Sequence, residues 1–518
     1  MIKSLQKKFL NSSPSSSVAS AAFVIAMAGI LSRVLGLFRD RILASHFGAG
    51  DTLDIYYAAF RVPDLVYNLL ILGALSAAFI PVFTSLIAKD EEKEAWELVN
   101  VFLTTALIFL IVIAAIFALF APQLMKLITP GFSGDKLQGV AMLTRIMFLS
   151  PIFLGISGIF GAVFLVKPFG IAGLAWGVVI GAFLHMVVQY PNVKMVGLKY
   201  FPRLSLKNRN FRKVITLMIP RTMGLAVTQI NLLVVTIIAS TLAAGSISIF
   251  NFANNLQSFP IGIFAIPFAI AVFPILSHHA ARDERDVFIH NFSKTFRQIL
   301  FFIIPASILI LVLRAQIVRI ILGAGKFNWD DTILTFQALG IFAVSLFAQA
   351  TIPLLARAFY ALHNTRVPFL AGIGGEAMNL AAALILSRYY GILGLVWAFS
   401  LSSIVEMFLL IFILRNKLEY LDDKKIISVI FKISLSALAA GLIAQLAKYL
   451  IEPYINLDTF LGVFWQMTFA GGLGVAVYFA LAHFFNLEEL HYLKKLFSTR
   501  IFRLRPPLPE DPTEASGI

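Results

Sequence analysis

ILASHFGAG at residues 42–50 returns as IIASTLAAG at residues 237–245, an offset of 195 with five of nine positions identical. Self-similarity at this range marks a chain built from two related halves. Downstream, FIPV around Pro81 matches VFPI around Pro274 at an offset of 193, so the apolar segments that begin near 54 and 246 are equivalent. Near the ends of the halves, FGIAGLAWG at 169–177 matches YGILGLVWA at 390–398, an offset of 221. The offset has grown from 195 to 221, by 26 residues, which is about one spanning helix with its turn. The first half therefore lacks one helix that the second half has. The gap falls near Gly161, and the unmatched material lies roughly between Arg357 and Ala382.

Composition says where such helices sit. Of 518 residues, 59% are hydrophobic and 13% charged, and the mean hydropathy is +0.87; a soluble domain carries about 25% charged residues. An all-α polytopic membrane protein fits these values. The net charge of +15 must then lie in short loops, where Lys and Arg set orientation. Nucleic acid is excluded as a partner, because no basic stripe is interleaved with aromatics and no zinc-finger spacing occurs. The absence of cysteine excludes disulfides, thiolate nucleophiles and Cys-ligated metals.

Length and loop punctuation give thirteen apolar segments, at 18–38, 54–88, 96–121, 138–165, 169–190, 213–243, 246–278, 292–322, 331–360, 366–388, 391–415, 424–451 and 459–485. They divide the chain into a basic Ser-rich tail (1–17), an N-terminal lobe of five segments (18–190), a C-terminal lobe of six (191–415), two additional helices (416–485) and a cytoplasmic tail (486–518). Pro63, Gly73, Pro81, Pro260, Pro267, Pro274 and Pro305 interrupt segments; such kinks are tolerated where neighbours or a cavity re-satisfy the backbone.

Basic residues orient the second half. Arg203, Lys207, Arg212 and their neighbours, then Arg282 and Arg285, Arg357 and Arg366, Arg415 and Lys424, and finally Lys494 and Arg500 fall in alternate loops, whereas the loops near 244, 327, 389 and 455 hold one basic residue or none. The first set is expected in the cytoplasm. Five crossings from a basic N-terminus, however, put the 190–213 loop outside. Three arrangements resolve the parity: an external N-terminus, a re-entrant first-half segment, or a deletion that compromises the topology.

SRVLGLFRD at 32–40, FGAGDTLDIYYAAFRVPDL at 47–65, SAAFIPVF at 76–83 and TPGF at 129–132 resemble the signature of the MurJ (MviN) family of lipid II flippases, in the MATE-like MOP exporter superfamily. The resemblance continues through FPIGIFAIPFAIAVFPILS at 259–277, GKFNWDD at 325–331 and ARAFYALHNTRVP at 356–368. It implies fourteen helices against the thirteen counted: two six-helix lobes related by a pseudo-two-fold axis, and two more helices lining a hydrophobic groove.

Charges inside spans are costly and usually face a cavity or another charge. Arg33 lies within the first segment, Arg39 and Asp40 end it, and Asp54, Arg61 and Asp64 start the second. Arg donors fit phosphate oxygens; with the resemblance, Arg33, Arg39 and Arg61, beside Asp40, Asp54 and Asn255, form the candidate substrate site. The chain departs from the family at Tyr67, Asn68 and Leu72, and at Asn255, where many members carry charged residues. Arg221 and Arg357 are substitutes in principle, yet both lie near predicted cytoplasmic ends. Glu376, Asn379 and Glu406 are candidates for binding a coupling cation, Na+ or H+; the bland alternative is a protonated packing residue. Lys432 and Lys448 are expected to snorkel. His278 and His279, adjacent in a loop, have poor geometry for one metal ion, and no metal or other cofactor is expected.

The expected function is translocation of lipid II from the inner to the outer leaflet of the bacterial cytoplasmic membrane by alternating access, by a monomer whose partners are lipid II and membrane lipids. A MATE-like exporter, a flippase for another polysaccharide, a membrane enzyme and a non-transporting scaffold are the rivals. The 190–213 loop carries no catalytic constellation, and no P-loop, HExxH or G-x-S-x-G occurs.

Overall fold

Apolar runs of 25 residues and more are long enough to close their own backbone hydrogen bonds across a bilayer, and they fold as helices in the computed structural model. It describes residues 33–67, 91–148 and 229–490, with Val82, Leu86, Asn208, Arg209, Phe211 and Arg212 besides. The first-half elements are α1 (33–47), α2 (Asp51–Tyr67), α3 (Glu92–Leu119), the short α4 (Ala121–Ile128) and α5 (Gly134–Met147). The second half opens with α6 (Gln229–Ser240) and α7 (Ser246–Pro260), which a π turn (Ile261–Ala265) joins to α8 (Ile266–Ala281). Then follow α9 (Arg285–Ile321), α10 (Trp329–Ala361), α11 (Arg366–Tyr390) and α12 (Ile392–Leu418). Two trailing helices, α13 (Asp423–Ile451) and α14 (Phe460–Phe484), complete the chain described. Seven of these helical stretches are long and apolar enough to cross a membrane, all of them from residue 246 onward.

Three boundaries differ from the sequence reading. Helix α1 continues through residue 47 instead of stopping at 38, because nothing in FRDRILASHF breaks it before Gly48, whose φ of +69° turns the chain. Arg39 and Asp40 are therefore interior to a helix. Helix α8 extends to Ala281, so His278 and His279 lie in its last turn and not in a loop. The 96–121 segment divides, α3 ending at Leu119 and α4 starting at Ala121. The fifth segment, the 190/191 lobe boundary and the apparent missing helix lie outside the described residues, as do Asn68, Leu72, Arg221, the N-terminal tail and the C-terminal tail beyond Leu490.

Packing joins the halves. One apolar core runs from Leu43, Leu53 and Tyr57 of α1 and α2 into Phe250 and Phe252 of α7, Phe342 of α10 and Leu395 of α12. Tyr57 meets Phe252 edge-on at 5.9 Å, and Phe250 meets Phe342 at 5.5 Å, the geometry aromatic pairs prefer. Helices α13 and α14 pack on each other and on α9. Their outward faces present Phe431, Leu442, Leu461 and Trp465, as lipid-facing helices do. Gly441 of α13 admits this approach: a Cβ there would stand 2.5 Å from Ile308 Cγ2.

Candidate functional site

Four charged residues of α1 and α2 meet a polar face of α6 and α7. Asn251 and Asn255 lie one helical turn apart on α7, so they share a face, and that face addresses the first half. Arg61 donates from Nε to Thr236 Oγ1 and from a terminal nitrogen to Asn251 Oδ1, both at 2.8 Å. Asp40, buried, takes Arg39 on one carboxylate oxygen at 3.0 Å and Asn255 Nδ2 on the other at 2.8 Å. Arg33 donates to the Ser258 carbonyl at 2.9 Å. Its guanidinium lies flat against Gly262 in the π turn: a Cβ built on Gly262 would stand 1.7 Å from Arg33 Cζ. Pro260 removes a backbone donor, the helix widens into the π turn, and Gly262 leaves the opening that Arg33 fills.

At the end of the bundle carrying residues 45–50, 240–245 and 324–331, two aspartates clasp the halves reciprocally. Asp54 of α2, 1% exposed, accepts from Gly245 N at 2.8 Å, Ser248 N at 2.9 Å and Ser248 Oγ at 2.7 Å. It thereby caps α7 from the other half, at the end where the helix dipole favours an anion. Asp331 of α10 forms a capping box with Asn328 and reaches across to accept from Ala49 N at 3.0 Å. Lys326 N donates to Ser45 O at 2.8 Å. Gly245, at φ +87°, admits the closest approach: a Cβ there would lie 2.2 Å from Ala49 O. Nothing larger than glycine fits this seam.

A second polar cluster belongs to the second half. Asn379 Nδ2 donates to Asn231 Oδ1 at 2.6 Å, and both amides lie beside Glu376. Glu406 of α12 packs against α11 at Gly375, whose Cβ would sit 3.4 Å from Glu406 Oε2. Asn379 Oδ1 is buried without a hydrogen-bond partner among the described residues.

The structure thus brings Arg33, Arg39, Asp40, Arg61 and Asn255 onto one interface, places Asp54 at its end, and groups Glu376, Asn379 and Glu406 elsewhere. Sequence reasoning missed Asn251, Thr236, Ser258, Gly262 and Asp331. The 251/255 spacing of two amides in an apolar helix was a signal for the first; Asp331 stood within GKFNWDD unread. Lys448 does not simply snorkel, since its Nζ donates to Val312 O at 2.9 Å, and Lys432 reaches Phe485 O at 3.4 Å. Arg357 donates to Pro353 O of its own helix. His279 Nδ1 lies 2.5 Å from Glu284 Oε2, in the turn between α8 and α9, and the ring holds that carboxyl below the usual carboxylate range. His278 completes a group of three potential ligands there.

Comparison with known proteins gives the family and the fold. The profile of the family described as lipid II flippase MurJ matches residues 43–167 and 146–464. The two matched stretches share residues 146–167, so the family pattern does not run uninterrupted through the region where the offset between the halves jumps. A probable lipid II flippase of Haemophilus influenzae is 28% identical, over 90% of this chain and 99% of the relative; one of Bdellovibrio bacteriovorus is 28% identical over 92% and 97%. Among solved structures, a lipid II flippase in an inward closed conformation superposes with a TM-score of 0.73 at 24% identity, covering 89% of this chain and 98% of that one. An inward-facing multidrug MATE transporter of the MOP superfamily gives 0.63 at 14%, over 77% and 99%. These superpositions establish the fold.

Proposed function

The chain belongs to the lipid II flippase family, and on that premise we propose that it moves lipid II from the inner to the outer leaflet of the bacterial cytoplasmic membrane by alternating access. It is a multi-pass membrane transporter and catalyses no covalent chemistry. The observation that carries the proposal is the set of three arginines, Arg33, Arg39 and Arg61, on one face between the halves, each held by hydrogen bonds that a ligand can replace. A pyrophosphate brings several negative oxygens, and guanidinium groups donate to such oxygens in pairs. In the conformation described, carbonyl, amide and hydroxyl oxygens of the second half occupy the Arg33 and Arg61 donors, and the Asp40 carboxylate of α1 occupies those of Arg39.

The clasp formed by Asp54 and Asp331 lies at the end assigned by the loop charges to the outside. With that end sealed, alternating access brings substrate to the arginines from the cytoplasmic side. Outward opening requires the Gly245, Ser248 and Ala49 amides to leave their carboxylates together, which makes the change two-state and not gradual. Between α9 and α14 an apolar cavity of about 370 Å³, lined by Leu309, Leu313, Met467 and Gly471, suits part of a lipid tail. Both faces of the arginine site come from one chain, so a monomer suffices.

Glu376, Glu406, Asn231 and Asn379 offer only oxygen ligands, which suit a hard cation and not a thiophilic metal. The unpartnered Asn379 Oδ1 fits such a role. Na+ or H+ bound there supplies charge compensation for two carboxylates, and the cluster ties α6, α11 and α12 together.

Complementation of a flippase-depleted bacterium tests the function. The unaltered chain restores growth, and Arg33→Ala and Arg39→Ala do not. Failure of the unaltered chain despite membrane insertion contradicts the proposal.

A further inference from the structure

Arg41 follows the Arg39–Asp40 pair on α1 but points to a different partner. Its guanidinium donates to the carbonyls of Ile320 and Ile321 in the last turn of α9, the end of a helix where unpaired carbonyls and the dipole favour a cation. It also lies over the ring of Phe460, the first residue of α14, at 5.4 Å, within cation–π range. Phe460 is stacked in turn on Phe464 at 6.2 Å and 16°, one helical turn on. One first-half side chain thus joins the adjacent ends of two helices, α9 and α14, that belong to the other side of the interface.

Those two helices line the apolar groove, which is open along its length. Leu309, Leu313 and Ile317 line it from α9, and Met467 and Gly471 from α14. Ile317 lies one turn before Ile321, and Met467 one turn after Phe464. Arg41 therefore bridges α9 and α14 at the end of the groove, one turn beyond its lining residues. It does so from α1, whose own end (Ser45 to Ala49) is bound into the clasp at Lys326 and Asp331. A movement of α1 that opens the clasp withdraws Arg41 from both helices at once.

The geometry points to Arg41 as a positioning residue that couples the seal between the halves to the apolar groove between α9 and α14. While the seal is closed, the end of the groove is held; when it opens, α14 is released from α1 and the groove frees an apolar chain at the same end. This rests on the alternating-access reading above, and it assigns to a residue outside the phosphate-binding set the task of synchronising head group and tail.

The chain contains no cysteine, so a single reporter suffices. Ser240, 4% exposed at the seam beside Gly131, is replaced by Cys in the full-length protein in spheroplasts, and its labelling rate with a membrane-impermeant maleimide is measured. Arg41→Gln is expected to raise the rate about threefold to tenfold, the range that one or two hydrogen bonds and a cation–π contact span. Phe460→Ala raises it less, and Phe460→Ala added to Arg41→Gln changes nothing further, since the two residues share one contact. Asp54→Asn, which breaks the clasp itself, is the control. If Asp54→Asn raises the rate and Arg41→Gln does not, the Arg41 assignment is overturned while the gate reading stands. If neither does, the gate reading falls and the coupling with it. Full additivity of Phe460→Ala and Arg41→Gln overturns the link to α14.

Discussion

Asp40 and Asn255, 215 positions apart, meet at 2.8 Å across the two halves, with Arg39 on the other carboxylate oxygen of Asp40. Asn255 is a neutral amide, so it supplies a donor but no charge. Asn255→Leu removes that donor and leaves a buried acceptor, a cost of about 1–3 kcal/mol. Transport is expected to fall about tenfold, which corresponds to about 1.4 kcal/mol on this scale. Asn255→Arg keeps a donor facing Asp40 and retains transport. The initial rate of lipid II translocation in vesicles distinguishes the two.

Gly262 is expected to be as sensitive as the arginine it faces. A methyl group at 1.7 Å from Arg33 Cζ cannot coexist with the guanidinium, so Gly262→Ala expels Arg33 from its place beside Ser258. Gly262→Ala and Arg33→Gln should reduce transport by similar factors, and the double variant should be no worse than either, because residues acting on one contact are not additive. Additive losses would mean that the π turn matters for another reason.

The carboxylates of the second half predict a cation effect separable from phosphate binding. Glu376→Gln and Glu406→Gln remove negative charge from the cluster around Asn379 without emptying its volume. Each should abolish any stimulation of transport by Na+ or by a proton gradient, while binding of the lipid substrate at a fixed ionic strength stays within about twofold, as expected for sites without shared partners. Flux measured at varied Na+ and varied pH gradient checks this.

A buried ion pair fastens the segment that follows α14 to α9. Arg297, 1% exposed, is paired with Glu489, itself 5% exposed, and with the exposed Glu488 at 3.3 Å. Glu489→Gln strands a buried cation and should cost about 3 kcal/mol, whereas Glu488→Gln, at a solvent-screened position, should cost little. The Glu488 carboxyl is held below its ordinary value by its hydrogen bond to Lys425, with further help from Lys425 and Arg297 charge. A depressed carboxylate stabilises the fold above the unfolded value of about 4.3, and this contribution is lost as pH falls through the folded value. Glu488→Gln should therefore lower Tm slightly at pH 7, and the difference from the unaltered chain should vanish as pH falls through the folded value.

Much of the fold was legible because spanning helices are written as long apolar runs: the segments from 246 to 485 reappear within three residues of their expected bounds, except that α9 begins at Arg285 and not at 292. The end of α1 was not, since FRDR reads as an interfacial stop when each charge is priced alone. In the folded chain Arg39, Asp40 and Arg41 each have a partner, and paired charges do not end a helix. Of the site, the arginines were visible as isolated charges in apolar surroundings. Their acceptors were not, because Thr236, Asn251 and the Ser258 carbonyl become partners only through the crossing of α1 and α2 with α6 and α7. Gly262 carried no signal beyond its place after Pro260, since what it accommodates comes from 229 residues upstream. Asp331, unread in the sequence, caps its own helix, and its second bond to Ala49 is a product of the pairing of halves.

Reconstitution of the purified chain into vesicles carrying fluorescent lipid II on one leaflet tests the central claim most directly, with a reagent that destroys only outward-facing label. The account predicts protein-dependent transfer between leaflets that falls at least about tenfold in Arg39→Ala, the order of loss expected when a charged hydrogen bond to phosphate is removed. Transfer no faster than in empty vesicles, by a chain shown to be inserted and folded, or equal transfer by the Arg39→Ala variant, would contradict it.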